Sequence, residues 1–251
     1  MIKFFRKIRY ELMNQNKTTK YFKYAIGEII LVVIGILIAL QINNWNEEKK
    51  EVQKEVQLLK ELKASIVKDT FGLWSYKSIV DVSEKSLKRI IKEFEEKTYS
   101  DSLNFFFGGA FIKNKWTGTY ATYETLKSEG LSIISNDTLR KEIIDLYEGA
   151  YPYIKESEKN SFMDYNFFLN HSITLFDNIA FSDKVSKKGF EIRSIQPHSI
   201  IEVRKDKLFN SQIKTRLSEI EFLKYFVLNV TKTKHKKIIY QIEKEIKKLE
   251  Q

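Results

Sequence analysis

A single apolar run near the N-terminus dominates the hydrophobic pattern of this chain. Residues 24–42 read YAIGEIILVVIGILIALQI, and residues 29–40 contain no polar side chain. A helix rises about 1.5 Å per residue, so a run of this length extends roughly 28 Å, close to the thickness of a bilayer core of about 30 Å. The pattern therefore predicts a transmembrane helix over 24–42.

A cleaved signal peptide and a buried helix of a soluble protein both fit this run less well. A signal peptide needs a small-x-small cleavage site after its apolar core, and the residues from Leu40 to Trp45 offer none. A buried helix is amphipathic unless it is fully enclosed, whereas this run is apolar on every face. We therefore expect an uncleaved signal-anchor.

The charges on either side of the run predict its orientation. Residues 1–23 carry seven Lys and Arg side chains against one Glu, whereas residues 43–51 are mixed in charge. Basic flanks stay in the cytoplasm. We expect a basic cytoplasmic leader over 1–23, a membrane span over 24–42 and one domain over 43–251 on the far side.

Beyond the span, the apolar spacing is mostly helical. Apolar residues recur every three or four positions over 47–69 and again over 69–97, where Gly72 weakens the start of the second helix. Residues 98–118 are the least helical stretch, and the Phe-Phe-Phe-Gly-Gly run over 105–109 is expected to be a buried connector.

The second half of the chain continues the helical pattern. We expect a short helix over 119–128 ending at Gly130, and another that starts at Asn136 or Asp137 and closes at Gly149. Longer helices are expected over 153–179, after Pro152, and from residue 205 to the end, with a loop or small hairpin over 181–200. The apolar stripe of the last stretch could form a coiled-coil seam.

Composition agrees with a helical fold. The chain has only two prolines and nine glycines in 251 residues, fewer turn residues than a sandwich or barrel requires. The predicted fold class is all-α, with an N-terminal transmembrane helix followed by a helical bundle.

Net charge and cysteine content add little about function. The net charge is +10, but more than half of it belongs to the N-terminal leader, so a nucleic-acid partner is not indicated. With no cysteine, the domain cannot depend on disulfides. The three histidines are far apart and HExxH is absent, so no metal site is predicted.

Catalytic and cofactor motifs are also missing. The chain contains no GxSxG, no GxxxxGK[ST] and no GxGxxG. We predict no catalytic residue, no cofactor and no enzymatic activity. His171, on a Phe-rich stretch, is expected to be a hydrogen-bonded core residue.

Three residues of the span are candidates for an interaction inside the membrane. Glu28 is a carboxylate within the apolar run, and such groups are costly in a bilayer. It could pair with Lys20 or Lys23, contact another transmembrane helix, or transfer protons. Gly35 and Ala39 form a small-xxx-small pair that allows close helix approach.

Two further groups of residues are candidate contact sites. Aromatic side chains could line a ligand pocket or pack in the core; they are Trp116, Tyr120, Tyr123, Tyr147, Tyr151 and Tyr153. Lysines give the C-terminal helix a basic face that is either solvated or in contact with lipid headgroups; they include Lys232, Lys236, Lys237 and Lys244.

The anchor resembles the start of an uncharacterised family of bacterial single-pass membrane proteins. The resemblance is carried by GEIILVVIGILIALQINNWNE over 27–47, by KYFKYAIGE over 20–28, and by YETLKS over 123–128 with a following Gly130. It implies an envelope protein of a Gram-negative bacterium. With the orientation predicted from the flanking charges, we expect an anchor in the inner membrane and a periplasmic domain. The family supplies no activity and no catalytic residues.

These expectations lead to two hypotheses about function. The first is a non-enzymatic interaction or scaffold protein that associates with itself or with another membrane protein. The alternative is a membrane-anchored, sensor-like domain that binds a ligand at the aromatic residues. An envelope enzyme is a third, weaker possibility.

Overall fold

A computed structural model describes residue 10 and residues 18–113, 115–179, 185–186, 189–190 and 194–251. The predicted fold class is confirmed, because a long N-terminal apolar helix leads into a helical bundle. Residues 1–9 and 11–17 of the predicted leader lie outside the described residues. The elements are α1 Thr18–Glu96, α2 Leu103–Ala110, α3 Ala121–Glu129, a 3₁₀ turn Leu131–Ile133, α4 Asp137–Ile144, a π-helical turn Asp145–Ala150, α5 Tyr151–Ser172, β1 Val185–Ser186, β2 Gly189–Phe190, α6 Ile200–Lys205, α7 Lys207–Phe222, a second π-helical turn Leu223–Leu228 and α8 Asn229–Leu249.

By its internal contacts the chain forms two compact units, an N-terminal unit Met1–Glu55 and a C-terminal unit Val56–Gln251. Helix α1 contributes residues to both. The boundaries predicted for the leader, the span and the domain refer to a membrane and stay predictions.

The N-terminal unit leaves its apolar side chains exposed. The large apolar side chains over 29–40 range from 46% exposed at Val33 to 63% at Ile29. Among the described residues, one helix is long and apolar enough to cross a membrane. None of the residues in its most apolar stretch of 18 is buried. Exposing such side chains to water costs about 2 kcal/mol each relative to burial, so this surface is suited to an apolar surrounding.

Within α1, the structure corrects the prediction of two separate helices over 47–97. The helix is continuous through Gly72, and the Trp116 indole packs over this residue. A Cβ atom at Gly72 would lie 3.3 Å from Trp116 Nε1. Glycine therefore marks a close packing contact here and not a helix end.

Helix α1 ends before a residue in the left-handed backbone conformation. Lys97 has a φ of 57°, and the Thr98 amide donates to the Glu93 carbonyl over 3.0 Å, as in a Schellman cap. The Glu93 carboxylate accepts from the Ser100 amide at 2.8 Å and from its hydroxyl. These bonds fix the chain as it turns towards α2.

The expectation of a connector over 105–109 was wrong, because these residues lie within α2. Gly109 allows α2 to approach α1, since a Cβ atom there would lie 2.0 Å from Ser86 Oγ and 2.8 Å from Ser86 Cβ. Tertiary packing thus overrides the low helix propensity of the Gly-Gly pair.

The caps of the next two helices match the predictions. Gly130 follows α3 with a φ of 96°, in the region that favours glycine. The Asn136 side chain accepts from the amides of Thr138 and Leu139 at the start of α4. Gly149, in contrast, does not end a helix. The chain continues from α4 through the first π-helical turn into α5.

The last helices pack their apolar face within the C-terminal unit. Ile238 and Ile242 of α8 are fully buried, and ion pairs join Lys60 to Glu250 and Lys63 to Glu243 across the edge of the contact with α1. The predicted coiled-coil seam stays a prediction. The expected hairpin over 181–200 is present as the antiparallel pair β1 and β2.

Phenylalanine rings fill the core beside α2. Phe107 contacts Phe176 edge-on at 4.9 Å between centroids, and Phe111 stacks on Phe168 at 4.8 Å. Phe209 of α7 contacts Phe168 at 5.7 Å. These rings join α2, α5 and α7 into one core.

We expect Gly109→Ala to destabilise the C-terminal unit by about 1–3 kcal/mol, because the new methyl group overlaps Ser86. The measurement is unfolding of the full chain in detergent micelles. Gly149→Ala is the matched control. Its Cβ atom meets only the flexible Asp145 carboxylate, so it should be neutral or slightly stabilising. Equal stability of both variants would contradict the close contact.

Candidate functional site

The three candidate residues of the span lie on one face of α1. Glu28, Gly35 and Ala39 are seven and four residues apart, a spacing that places them together on a helix. A Cβ atom on Gly35 would meet nothing within 4 Å, and Ala39 is exposed, whereas Glu28 is half-buried. The part of this face formed by Gly35 and Ala39 is therefore exposed.

Five of the six aromatic residues considered for a pocket come together in the C-terminal unit. Tyr123 and Tyr147 stack with their rings 4.4 Å apart and 2° from parallel. Tyr151 contacts Tyr147 at 5.0 Å and Trp116 at 4.9 Å, both edge-on. Tyr120 completes the group, 5.7 Å from Tyr147. We call these five side chains the aromatic cluster.

The rings of the aromatic cluster contact one another, so a ligand at their centre would have to displace a ring. Tyr153, in contrast, is exposed. The Tyr147 hydroxyl is buried and makes no hydrogen bond with any residue that the structure describes. A ligand pocket at these residues stays a prediction, and core packing accounts for the ring contacts.

A buried polar network lies against the aromatic cluster, and its centre is Asp69. This carboxylate is 3% exposed. It accepts from the Thr119 amide at 2.9 Å and from the Thr119 hydroxyl at 2.7 Å. It also accepts from the Tyr151 hydroxyl at 2.8 Å. These bonds join α1, the segment before α3 and the start of α5.

His235 of α8 completes the network. Its Nε2 lies 3.0 Å from the Tyr151 hydroxyl, and its Nδ1 lies 2.9 Å from the Thr70 hydroxyl. Because Tyr151 donates its only proton to Asp69, Nε2 must carry a hydrogen and donate to the Tyr151 oxygen. In neutral His235, Nδ1 is an acceptor, and it lies with the Ile66 carbonyl, at 2.8 Å, within hydrogen-bond distance of the one proton of the Thr70 hydroxyl.

Burial sets the protonation states of this network. It lowers the pKa of His235 from 6.5 to about 4, and the nearby Asp69 charge opposes this only in part. Burial also raises the pKa of the Tyr151 hydroxyl, and the Asp69 charge raises it further. At neutral pH His235 and Tyr151 are therefore both neutral groups beside the Asp69 carboxylate.

Asp69 and His235 are not among the predicted site residues, although their positions carry a signal. Asp69 lies at helical spacing among the buried residues Leu62, Ile66 and Leu73, and His235 precedes the buried Ile238. A polar side chain on an apolar stripe must find a buried partner. Partners 82 and 84 residues away in sequence are not visible in that periodicity.

The other predicted polar residues lie on the surface or at its edge. Lys232, Lys236 and Lys244 are exposed on α8, and Lys237 pairs with Glu142 of α4. Contact of these lysines with lipid headgroups stays a prediction. His171 is half-buried and bonds to Asp206 at 2.9 Å. The described residues contain no group of three or more His, Asp or Glu side chains placed to hold a metal ion.

We expect the stability of the C-terminal unit to fall as the pH drops from about 6.5 to about 4. In that window the unfolded chain binds a proton at His235 that the folded chain does not. The loss totals about 3 kcal/mol, at 1.36 kcal/mol per pKa unit. The measurement is denaturant unfolding of the full chain at several pH values.

His235→Gln should be less stable at pH 7 but should lose this part of the acid dependence. His198→Gln, at a half-exposed histidine paired with Asp177, is the matched control and should keep it. The same acid dependence in the wild-type chain and in His235→Gln would contradict the buried neutral imidazole.

Comparison with known proteins places the chain in a family. Comparisons with curated proteins and with solved structures find no match. A family described as a family of unknown function, DUF6090, matches residues 28–164. The match begins at Glu28, includes Asp69 and the aromatic cluster, and spans more than half of the chain. The chain therefore belongs to the DUF6090 family.

Proposed function

We propose that this chain is a single-pass, membrane-anchored interaction protein without enzymatic activity. The observation that carries the proposal is the apolar stretch of α1, which has the length of a bilayer core and buries none of its most apolar window. Its side chains meet an apolar surrounding only in a membrane or against a partner's helix.

The charges around the span support its orientation. The basic side chains of residues 1–23 favour an N-terminus in the cytoplasm and a C-terminal unit across the membrane. The resemblance of the anchor to bacterial single-pass proteins favours the inner membrane of a cell envelope, with the C-terminal unit in the periplasm.

Inside the membrane, we propose that the face of Glu28, Gly35 and Ala39 contacts a second helix. Small residues allow two backbones to approach, and Glu28 adds a polar group to the same face. The second helix belongs either to another copy of this chain or to a different membrane protein.

A second surface supports an interaction role for the C-terminal unit. Val67, Phe71 and Trp74 lie in one row along α1 and are 49%, 71% and 59% exposed. The rings of Phe71 and Trp74 are 6.0 Å apart. Contiguous exposed apolar side chains of this size are typical of protein interaction sites.

The buried network supports a structural and not a catalytic role for its titratable groups. A general acid or base has to reach a substrate. Asp69, Tyr151 and His235 are all at most 3% exposed, and they bond to one another and to Thr70 and Thr119. The network accounts for how the bundle is held together.

The absence of cysteine from the chain allows a direct test of the helix contact. We first expect the chain to stay with native membranes through alkaline extraction. In those membranes, Gly35→Cys should then crosslink efficiently. Val33→Cys, about 160° away around the helix, is the matched control and should crosslink weakly. Products are analysed by mass.

A product of twice the chain mass would identify self-association, and a product of another mass would identify a different membrane protein. Release of the chain by alkaline extraction would contradict membrane anchoring. Equal crosslinking at positions 33 and 35 would contradict a specific helix face and leave the span as an anchor only.

A further inference from the structure

An open groove lies between α5 and the end of α7 in the C-terminal unit. Its volume is about 450 Å³, within the usual range for small-molecule sites. Its apolar wall is formed by Tyr153 of α5, by Ile220 and Phe222 of α7, and by Leu223 at the start of the second π-helical turn. The groove shares no residue with the aromatic cluster or the Asp69 network.

The apolar wall of the groove includes two exposed aromatic rings. Ile220 and Leu223 are 7% and 9% exposed, whereas Tyr153 is 54% and Phe222 is 45% exposed. Large apolar side chains exposed together in a concave surface are typical of a binding site. Both rings therefore present apolar surface to a molecule in the groove.

The charged groups that line the groove are all acidic. They are Glu156 and Asp164 of α5 and Glu219 of α7, and no Lys or Arg lines the groove. The chain as a whole, in contrast, has 43 Lys and Arg against 33 Asp and Glu. Glu156 lies 3.8 Å from the Lys159 ammonium with both side chains mostly exposed, where an ion pair contributes little. The groove therefore favours a positively charged ligand.

Two of the acids contact each other across the groove. Glu219 is hydrogen-bonded to Asp164, which requires a proton on one of the two carboxyl groups. Burial and the Asp164 carboxyl raise the pKa of Glu219 to about 7, and the charge of Arg216, one turn away on α7, opposes this only in part. The pair therefore loses its shared proton near neutral pH, and a cation between the carboxylates would stabilise that state.

The composition of the groove favours an organic cation over a metal ion. The described residues contain no group of three or more His, Asp or Glu side chains placed to hold a metal ion. A metal ion would also leave the apolar wall without a partner, whereas an organic cation can contact the carboxylates and the rings at once. The faces of aromatic rings attract cations as well.

We propose that this groove binds an organic cation with an apolar body, such as a protonated amine attached to an aromatic or hydrocarbon group. The ammonium donates to the carboxylates of Asp164 and Glu219. It takes the place of their shared proton, which leaves to solvent. The apolar body lies against Tyr153 and Phe222. This proposal does not depend on the role proposed for the span.

The test uses three compounds and isothermal titration of the full chain in detergent micelles, with protein-free micelles as the blank. Phenethylamine carries both the ammonium and the apolar body, 2-phenylethanol lacks the charge, and ethylamine lacks the ring. We expect phenethylamine to bind at least about tenfold more tightly than either of the other two.

The shared proton makes binding depend on pH. The amine stays protonated between about pH 6 and pH 8, whereas the acid pair loses its proton in this range. Phenethylamine should therefore bind about fivefold or more tightly at pH 8 than at pH 6. Glu219→Gln should weaken binding and abolish this pH dependence. Glu221→Gln is the matched control, because Glu221 pairs with Lys88 of α1, and it should keep the pH dependence.

Two exposed side chains separate binding from folding. Asp164 and Tyr153 are exposed, so Asp164→Asn and Tyr153→Ala should leave the melting temperature unchanged. We expect Asp164→Asn to weaken phenethylamine binding about fivefold and Tyr153→Ala about threefold. The matched controls are Asp101→Asn and Tyr240→Ala, at exposed residues that do not line the groove, and both should bind as the wild type does.

The proposal is overturned if phenethylamine does not bind with a Kd below about 10 mM. It is also overturned if 2-phenylethanol or ethylamine binds as tightly as phenethylamine, or if Asp164→Asn and Asp101→Asn bind equally well. Equal binding at pH 6 and pH 8 contradicts the exchange of the shared proton. Selective binding of phenethylamine that is weakened by Asp164→Asn supports the proposal.

Discussion

The C-terminal unit depends on a negative charge that is buried in its centre. Taking the Asp69 carboxylate out of water costs several kcal/mol unless hydrogen bonds replace its hydration. Thr119 and Tyr151 supply those bonds, and His235 orients Tyr151 from the opposite side. Because Thr119 precedes α3 and Tyr151 begins α5, the carboxylate is satisfied only when both segments are packed against α1.

The aromatic cluster and the network depend on each other. Tyr151 contacts Trp116 and Tyr147 through its ring and Asp69 through its hydroxyl. Trp116 in turn packs on Gly72, one turn from Asp69 along α1. The same side chains thus exclude water from the charge and fix the donors that stabilise it. This arrangement leaves the proposed interaction surfaces on α1, outside the core.

Local patterns predicted the parts of the fold that local physics controls. The helical periodicity, the cap at Asn136 and the positive φ of Gly130 all follow from residues within one turn of each other. Helix α2 could not be predicted in this way, because its Gly-Gly pair is helical through contact with Ser86, more than 20 residues earlier. The prediction that Gly72 weakens the start of a second helix was wrong for a similar reason, since the indole that packs on Gly72 comes from Trp116, distant in sequence. In the candidate site, the aromatic residues were identified by type, whereas Asp69 and His235 are joined only by the tertiary fold.

A double-mutant cycle between Asp69→Asn and Tyr151→Phe tests the central role of the buried carboxylate most directly. The free energy of unfolding of the full chain is measured for the wild type, both single variants and the double variant. We expect a coupling energy of at least about 1 kcal/mol, because Tyr151→Phe removes the donor of this buried bond and Asp69→Asn removes the charge that strengthens it. Tyr147→Phe is the matched control, as its hydroxyl makes no hydrogen bond within the described residues, and it should be additive with Asp69→Asn. Effects of Asp69→Asn and Tyr151→Phe that add to within about 0.5 kcal/mol would contradict the account.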